Sequence, residues 1–131
     1  MILFYGDDIE TTCTLTEEES AHCCRVLRKH AGDVISVADG KGKVFQCRIT
    51  DASSHATKVE ILEETTVEIP WKGNIIMAVA PTKNIDRMEW MVEKMVEIGV
   101  DEIVPVVCRH SERKEMKLAR LQRIIVSAFK Q

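Results

Sequence analysis

The sequence predicts a mixed α and β chain in two blocks, a small β-barrel followed by a β-α-β-α unit, so the fold class is α+β passing into α/β. Three observations carry this. Residues 1–68 hold short β-branched runs separated by glycine turns, the period changes near residue 73 to an apolar run and a helical stripe, and the charge balance reverses there. Residues 1–73 carry 8 Lys and Arg against 13 Asp and Glu, a net −5, whereas residues 74–131 carry 10 against 8, a net +2.

Thr16-Glu17-Glu18-Glu19 is a capping box, with the Thr hydroxyl set to accept a backbone N–H three residues on, and it predicts a helix from Thr16 to about Lys29 with Gly32 at its exit. Val34-Ile35-Ser36-Val37-Ala38 is a β-branched strand that runs into Asp39-Gly40-Lys41-Gly42, a tight turn in which glycine supplies positive φ. The return strand, residues 43–50, alternates Phe45, Cys47 and Ile49 with Val44, Gln46 and Arg48, and a further strand is expected at 57–62. Strands at this spacing suggest a barrel.

In the second block Asn74-Ile75-Ile76-Met77-Ala78-Val79-Ala80 is almost continuously apolar, the pattern of a parallel strand buried on both faces. From Asp86, positions Met88, Met91, Val92, Met95 and Ile98 follow helical spacing; Asp86 and Glu89 offer an N-terminal box, and Gly99 is placed to end the helix. Ile103-Val104-Pro105-Val106-Val107 then completes a β-α-β unit, whose loops at 81–85 and 108–112 lie where open α/β sheets bind ligands. A last helix, about 112–130, places Leu118, Leu121, Ile125, Ala128 and Phe129 on one side and Arg113, Lys117, Arg120 and Arg123 on another. It has no stop signal and the sheet has only two strands, so the chain is expected to be the front part of a longer protein.

Composition narrows the function classes. With 131 residues, 45% hydrophobic and 30% charged, the chain is globular, and no apolar run or basic leader predicts a membrane span or secretory signal. Five cysteines without a C-x-x-C predict neither a disulfide framework nor a zinc site, and favour a reducing, cytoplasmic setting. The net charge is −3, yet residues 109–131 hold seven cations against Glu112 and Glu115, a local surface able to meet phosphate. No G-x-G-x-x-G is present, which removes a Rossmann-type nucleotide site.

Lys83, Arg87-Met88-Glu89, Lys94, Glu97-Ile98-Gly99-Val100, Ile103, Pro105, Arg109 and Ser111 follow one another in the order and spacing of a single long motif. That run resembles the 16S rRNA (uracil-N3) methyltransferases, as do His22, Val26-Leu27-Arg28, Gly32-Asp33 and Asp39-Gly40-x-Gly42 in the first block. The resemblance implies a PUA-like RNA-binding β-barrel at 1–68 and, at 73–131, the first β-α-β-α part of a SPOUT domain, with the trefoil knot missing. It implies S-adenosylmethionine (AdoMet) as methyl donor in the full-length parent and 16S rRNA in the 30S subunit as partner. It also implies a homodimeric parent. The family's glycine-rich G-P-E-G-G and its L-G-x-R-I-L-R segment are absent, so no donor site is expected here, and residues 1–5 lack the family's early arginine.

Lys83 and Arg109 are the catalytic candidates, each following a parallel strand and able to stabilise negative charge on a uracil. RNA contacts are expected from Arg25, Arg28, Arg109, Ser111, Arg113, Lys117 and Arg120, since guanidinium groups pair with phosphate oxygens. Simpler readings stand beside these. Arg25, Arg28 and Lys29 suit a helix C-terminus, Lys41 and Lys43 suit solvent, and His22 suits packing or capping. Ser111 suits the cap of the last helix, Glu97 a salt bridge to Lys94 or Arg109, and Cys108 a buried strand end. The methionines 88, 91 and 95 read as packing. The general base is not identifiable from the residues, and a non-catalytic RNA-binding module in ribosome assembly is the alternative function.

Overall fold

The computed structural model describes residues 2–111 and 115–131. They divide into two compact units, one ending at Glu68 and the other running from Ile69 to Phe129.

The first unit is built on a four-stranded sheet in the order β1-β2-β3-β4, formed by β1 (Leu3–Tyr5), β2 (Val34–Ala38), β3 (Lys43–Asp51) and β4 (Lys58–Thr66). The β2–β3 hairpin closes where predicted. Asp39 is buried, and its Oδ1 accepts the N–H groups of Lys41 (2.7 Å) and Lys43 (3.1 Å), while Gly40 and Gly42 take φ of 74° and 102°. The register pairs Ile35 with Cys47, Val37 with Phe45 and Ile49 with Val59, so the apolar alternation lands on one core with Phe4, Ile9, Leu15 and Cys23. The sequence missed β1, which is three residues long and pairs in parallel with β2, and the one-turn helix α1 (Ile9–Thr12). It also stopped β4 early: its last residues are polar, but they ladder with the start of β3, and Lys43 reaches Glu64 at 3.1 Å.

The helix after Thr16 departs most from expectation. Thr16 caps it as read, its hydroxyl accepting from Glu19 N–H at 3.3 Å, but α2 (Glu17–Ala21) passes into a π-helical turn, His22–Val26, and the helix is over by Leu27. Arg28, expected inside the helix, sits beyond it at φ 52°, a left-handed conformation that costs a non-glycine residue roughly 1–2 kcal/mol. Lys29 N–H returns to Cys23 C=O at 3.0 Å, the closure that a helix makes around such a residue.

In the second unit β5 (Ile76–Val79) and β6 (Glu102–Pro105) pair in parallel, joined by α3 (Ile85–Ile98) and followed by α4 (Leu118–Phe129). Met88, Val92 and Leu121 form its buried centre, with Val79, Ile85, Met91, Ile103, Met116, Ile124 and Ile125 packed around them. Asn84, not Asp86 and Glu89, caps α3: its side chain accepts from Asp86 N–H at 3.0 Å. Three further expectations fail. β5 is not buried on both faces, with Ile76 59% exposed, because among the described residues its sheet has two strands and α3 and α4 cover only the side of Val79 and Ile103. Ile98 and Leu118 also face solvent. The last helix begins at Leu118 rather than 112, and residues 115–117 before it belong to neither helix nor strand; positions 112–114 lie outside the described residues.

Gly99 ends α3 at φ 101°, and the Trp71 ring stands 3.2 Å from where a Cβ would lie. Replacing Gly99 with Ala therefore meets a left-handed backbone and a fixed indole together. Denaturant unfolding of Gly99→Ala is expected to show a loss of about 1–2 kcal/mol in the second unit. Unchanged stability would mean that the turn relaxes and Trp71 does not pack there.

Candidate functional site

The parallel pairing of β5 and β6 decides where polar side chains can gather. Val79 is register-paired with Pro105, and Lys83 and Arg109 each lie four residues beyond that pair, so both belong to loops at the carboxyl end of the same sheet. Both are exposed. α3 returns from that end, so its first turn, with Ile85 and Glu89, lies there too, and residues 115–121 close over it.

Between the first turns of α3 and α4 is a cavity of about 350 Å³ lined by Ile85, Glu89, Glu115, Met116, Lys117, Arg120 and Leu121. Its apolar wall comes from Ile85, Met116 and Leu121. Its polar wall is an ion pair between the Glu89 carboxylate and the Arg120 Nε, the Glu89 side chain being 18% exposed and that of Arg120 58%. Two predicted residues, Lys117 and Arg120, therefore line the cavity, while Lys83 and Arg109 are not among its lining residues. In the sequence Glu89 belongs to the helix start and to the Arg87-Met88-Glu89 motif, with no site role assigned to it. The pairing that gives it a second meaning spans 31 residues of sequence, and no local pattern announces it.

The other candidates are placed as follows. Ser111 does not cap α4, which begins seven residues later; its Oγ accepts from Cys108 N–H at 2.8 Å and closes the turn that carries Arg109. Cys108 is exposed, not buried, because β6 ends three residues earlier. Glu97 pairs with Lys94 at 3.1 Å, as the simpler reading expected, and the Lys94 ammonium also stands 5.9 Å from the centre of the Trp90 ring. Arg113 lies outside the described residues.

In the first unit the lysines and arginines differ in what they meet. Lys43 pairs with Glu10 and Glu64, and Arg48 with Glu60. Lys41 donates to the Asp7 carbonyl. Arg25, in the π-helical turn, instead donates to the neutral Ser54 hydroxyl at 3.3 Å, and Arg28 is exposed with no ion-pair partner among the described residues. Ser54 belongs to a braced loop: Thr57 donates its N–H to Ser20 Oγ at 2.8 Å and its hydroxyl to Ser53 C=O at 2.8 Å. His22 is a packed residue, its ring tilted against Phe4 at 5.9 Å.

The buried thiols are not nucleophiles. Burial pushes Cys23 up to about 11, with Cys24 beside it adding to the rise, and burial likewise pushes Cys47 up to about 11. No helix among the described residues is long and apolar enough to cross a membrane.

Comparison with known proteins divides the chain in a similar way. Residues 15–62 match the family model of the RNA methyltransferase PUA domain, and residues 70–131 that of the RNA methyltransferase domain. A probable rRNA-methyltransferase from Porphyromonas gingivalis is 45% identical, with a TM-score of 0.89 over all of this chain and 55% of its own. Ribosomal RNA small subunit methyltransferase E from Neisseria gonorrhoeae, solved bound to S-adenosyl methionine, is 33% identical with a TM-score of 0.81, over 100% of this chain and 56% of its own. Among curated proteins, ribosomal RNA small subunit methyltransferase E of Aquifex aeolicus is 26% identical over 135 residues, covering 100% of this chain and 58% of the relative. The chain thus spans about half the length of such relatives.

The thiol environments lead to a reactivity order. At pH 8 iodoacetamide is expected to label Cys108 first and to leave Cys23 and Cys47 unmodified until the first unit unfolds. Because folded Cys23 and Cys47 keep protons that unfolded thiols release near pH 9, stability should fall as pH rises from about 9 to 11. Mass mapping that finds Cys23 or Cys47 alkylated in the folded chain would contradict these assignments.

Proposed function

The chain belongs to the RNA methyltransferase family, and on that premise we propose that it supplies the rRNA-holding and target-facing part of an enzyme that methylates N3 of a uridine in 16S rRNA of the 30S subunit. The observation that carries the reading is the topology of the second unit, which sets Lys83, Arg109 and the cavity with Arg120 at the carboxyl end of one parallel strand pair, the end at which α/β sheets take their substrates.

The chemistry asks for such groups. Methylation at N3 requires the ring to give up its N3 proton, and the resulting charge spreads onto the two carbonyl oxygens. A fixed cation beside those oxygens stabilises that charge, and Lys83 and Arg109 are the residues we assign to it. The target must also be unstacked, which favours a single-stranded or distorted rRNA segment.

AdoMet is the donor in this reading. Two structural neighbours are solved with S-adenosyl methionine bound, and this chain spans about half of each. We assign the donor to the half of the relatives that this chain does not span, because the family's glycine-rich donor segments do not occur in residues 1–131. A cytoplasmic homodimer completes the proposal, with exposed Trp90 and Ile98 on α3 offering apolar contact area.

In the first unit Arg25 and Arg28 are the proposed phosphate contacts, Arg25 held by Ser54 and Arg28 carried on a strained residue where glycine would cost less. The dependence of 16S rRNA affinity on salt tests this. Each lost phosphate contact should lower the slope of log affinity against log salt by roughly 0.7–0.9. Arg25→Ala and Arg28→Gly should each do so, the second without loss of stability; slopes equal to the parent's would remove both residues from the interface. For catalysis, the chain can be completed with the remaining half of the Porphyromonas gingivalis relative. There Lys83→Ala or Arg109→Ala should lower methyl-transfer kcat about 10²-fold with little change in melting temperature. Rates within twofold of the parent would refute the assignment.

A further inference from the structure

α4 departs from the rest of the chain in its charge. The whole sequence has more carboxylates than cations, 21 against 18, yet residues 116–127 hold Lys117, Arg120 and Arg123 and no Asp or Glu. Arg120 and Arg123 lie three residues apart, hence on one side of the helix, where like charges repel. Both are exposed. Arg123 has no ion-pair partner among the described residues, whereas Arg120 is held by a carboxylate that α4 does not supply, Glu89 of α3. The two sides of that pair are unequal. The Glu89 side chain is 18% exposed and that of Arg120 58%, so the carboxylate is anchored inside and the guanidinium meets it from the solvent side. Beside the pair, Glu115 and Lys117 line the same cavity.

We propose that the side of α4 carrying Arg120 and Arg123 docks on the sugar–phosphate backbone of the rRNA, and that Glu89 occupies Arg120 as an internal substitute for phosphate until the RNA arrives. The proposal rests on the rRNA reading above and extends it to a surface of the second unit. A guanidinium pairs with phosphate oxygens by the same fork of N–H groups that it offers a carboxylate, so the exchange needs no new fold. Arg120 can leave, because its side chain is largely in solvent and pairs of this kind are weak. Glu89 can be left, because Lys117 remains in the cavity with it, and the carboxylate is not stranded as a buried unpaired charge. Once both guanidiniums face the backbone, the phosphates offset their mutual repulsion in place of Glu89. Contacts of this kind position the RNA and carry no sequence preference. Binding must first undo the pair, so Glu89 lowers the affinity for RNA and eases its release. A purely structural pair has the opposite sign: removing Glu89 would loosen α4 and weaken RNA binding.

A double-mutant cycle on the affinity of this chain for 16S rRNA, at one fixed salt concentration, tests the sign. Glu89→Gln is expected to bind about threefold to fivefold more tightly than the parent, the worth of a partly exposed ion pair, and Arg120→Ala more weakly. In the Arg120→Ala background, Glu89→Gln should change the affinity by less than about 1.5-fold, since there is no longer a pair to undo. An equal gain in both backgrounds would make Glu89 one negative charge among many and overturn the proposal. Unchanged or weaker binding by Glu89→Gln would overturn it too. A second measurement needs no variant protein to fold: in the parent chain, the ¹⁵N-edited Nε–H signals of Arg120 and Arg123 should both shift saturably when a single-stranded oligoribonucleotide is added. Unmoved signals refute the docking surface whatever the variants do. Failure here is separable from failure of the rRNA reading. A chain that binds 16S rRNA through Arg25 and Arg28 while Arg120 and Arg123 stay silent defeats this inference alone, whereas a chain that binds no 16S rRNA defeats both.

Discussion

The second unit depends on one constraint, the parallel pairing of β5 with β6. Two parallel neighbours cannot be joined by a hairpin, so the chain must cross over, and α3 is that crossing. The same constraint brings both strands to a common end, and it delivers Lys83, Arg109 and the first turn of α3 there together. Each end of α3 is then secured locally, by the Asn84 side chain at its start and by Gly99 in a left-handed turn under Trp71 at its finish. Met88 and Val92 face inward to meet Leu121, which in turn positions Arg120 one residue earlier beside Glu89. The cavity is thus a consequence of topology first and of side-chain choice second.

Much of this was legible in the sequence where a pattern had a local cause. Asp39-Gly40-Lys41-Gly42 specified its hairpin because positive φ needs glycine and Asp39 can satisfy two N–H groups from one side chain. Gly99 marked its helix end for the same reason, and the apolar run at 74–80 announced a strand. What failed depended on context. Continuous hydrophobicity implied that β5 was covered on both faces, but how much of a strand is covered depends on the elements around it. The segment before α4 carries helical spacing, yet residues 115–117 are not helical and Met116 lines the cavity. Periodicity reports which residues prefer burial and says less about where the backbone begins to coil.

The candidate site was legible in part. The common end at which Lys83 and Arg109 lie is readable from the β-α-β pattern, whereas the pairing of Glu89 with Arg120 is not, because the two are remote in sequence. In the first unit the local structure of the arginines differs from what the capping pattern predicts. Arg28 was read as a cation on a helix end, but the π-helical turn shortens the helix and leaves Arg28 on a left-handed residue beyond it. That conformation has a cost that glycine would lower. The pairing also differs: Lys43 and Arg48 meet carboxylates, while Arg25 meets a hydroxyl and stays available to an anion.

Presentation of a 16S rRNA uridine for methylation at N3, as proposed for this chain, is decided by the identity of the methylated product. A protein completed with the second half of the Porphyromonas gingivalis relative, given unmodified 30S subunits and labelled AdoMet, should yield rRNA whose digestion to nucleosides shows the label in 3-methyluridine. Label in 5-methyluridine, in a ribose methyl group or in another base would contradict the proposal, as would labelled 3-methyluridine that persists undiminished when Lys83 and Arg109 are both replaced.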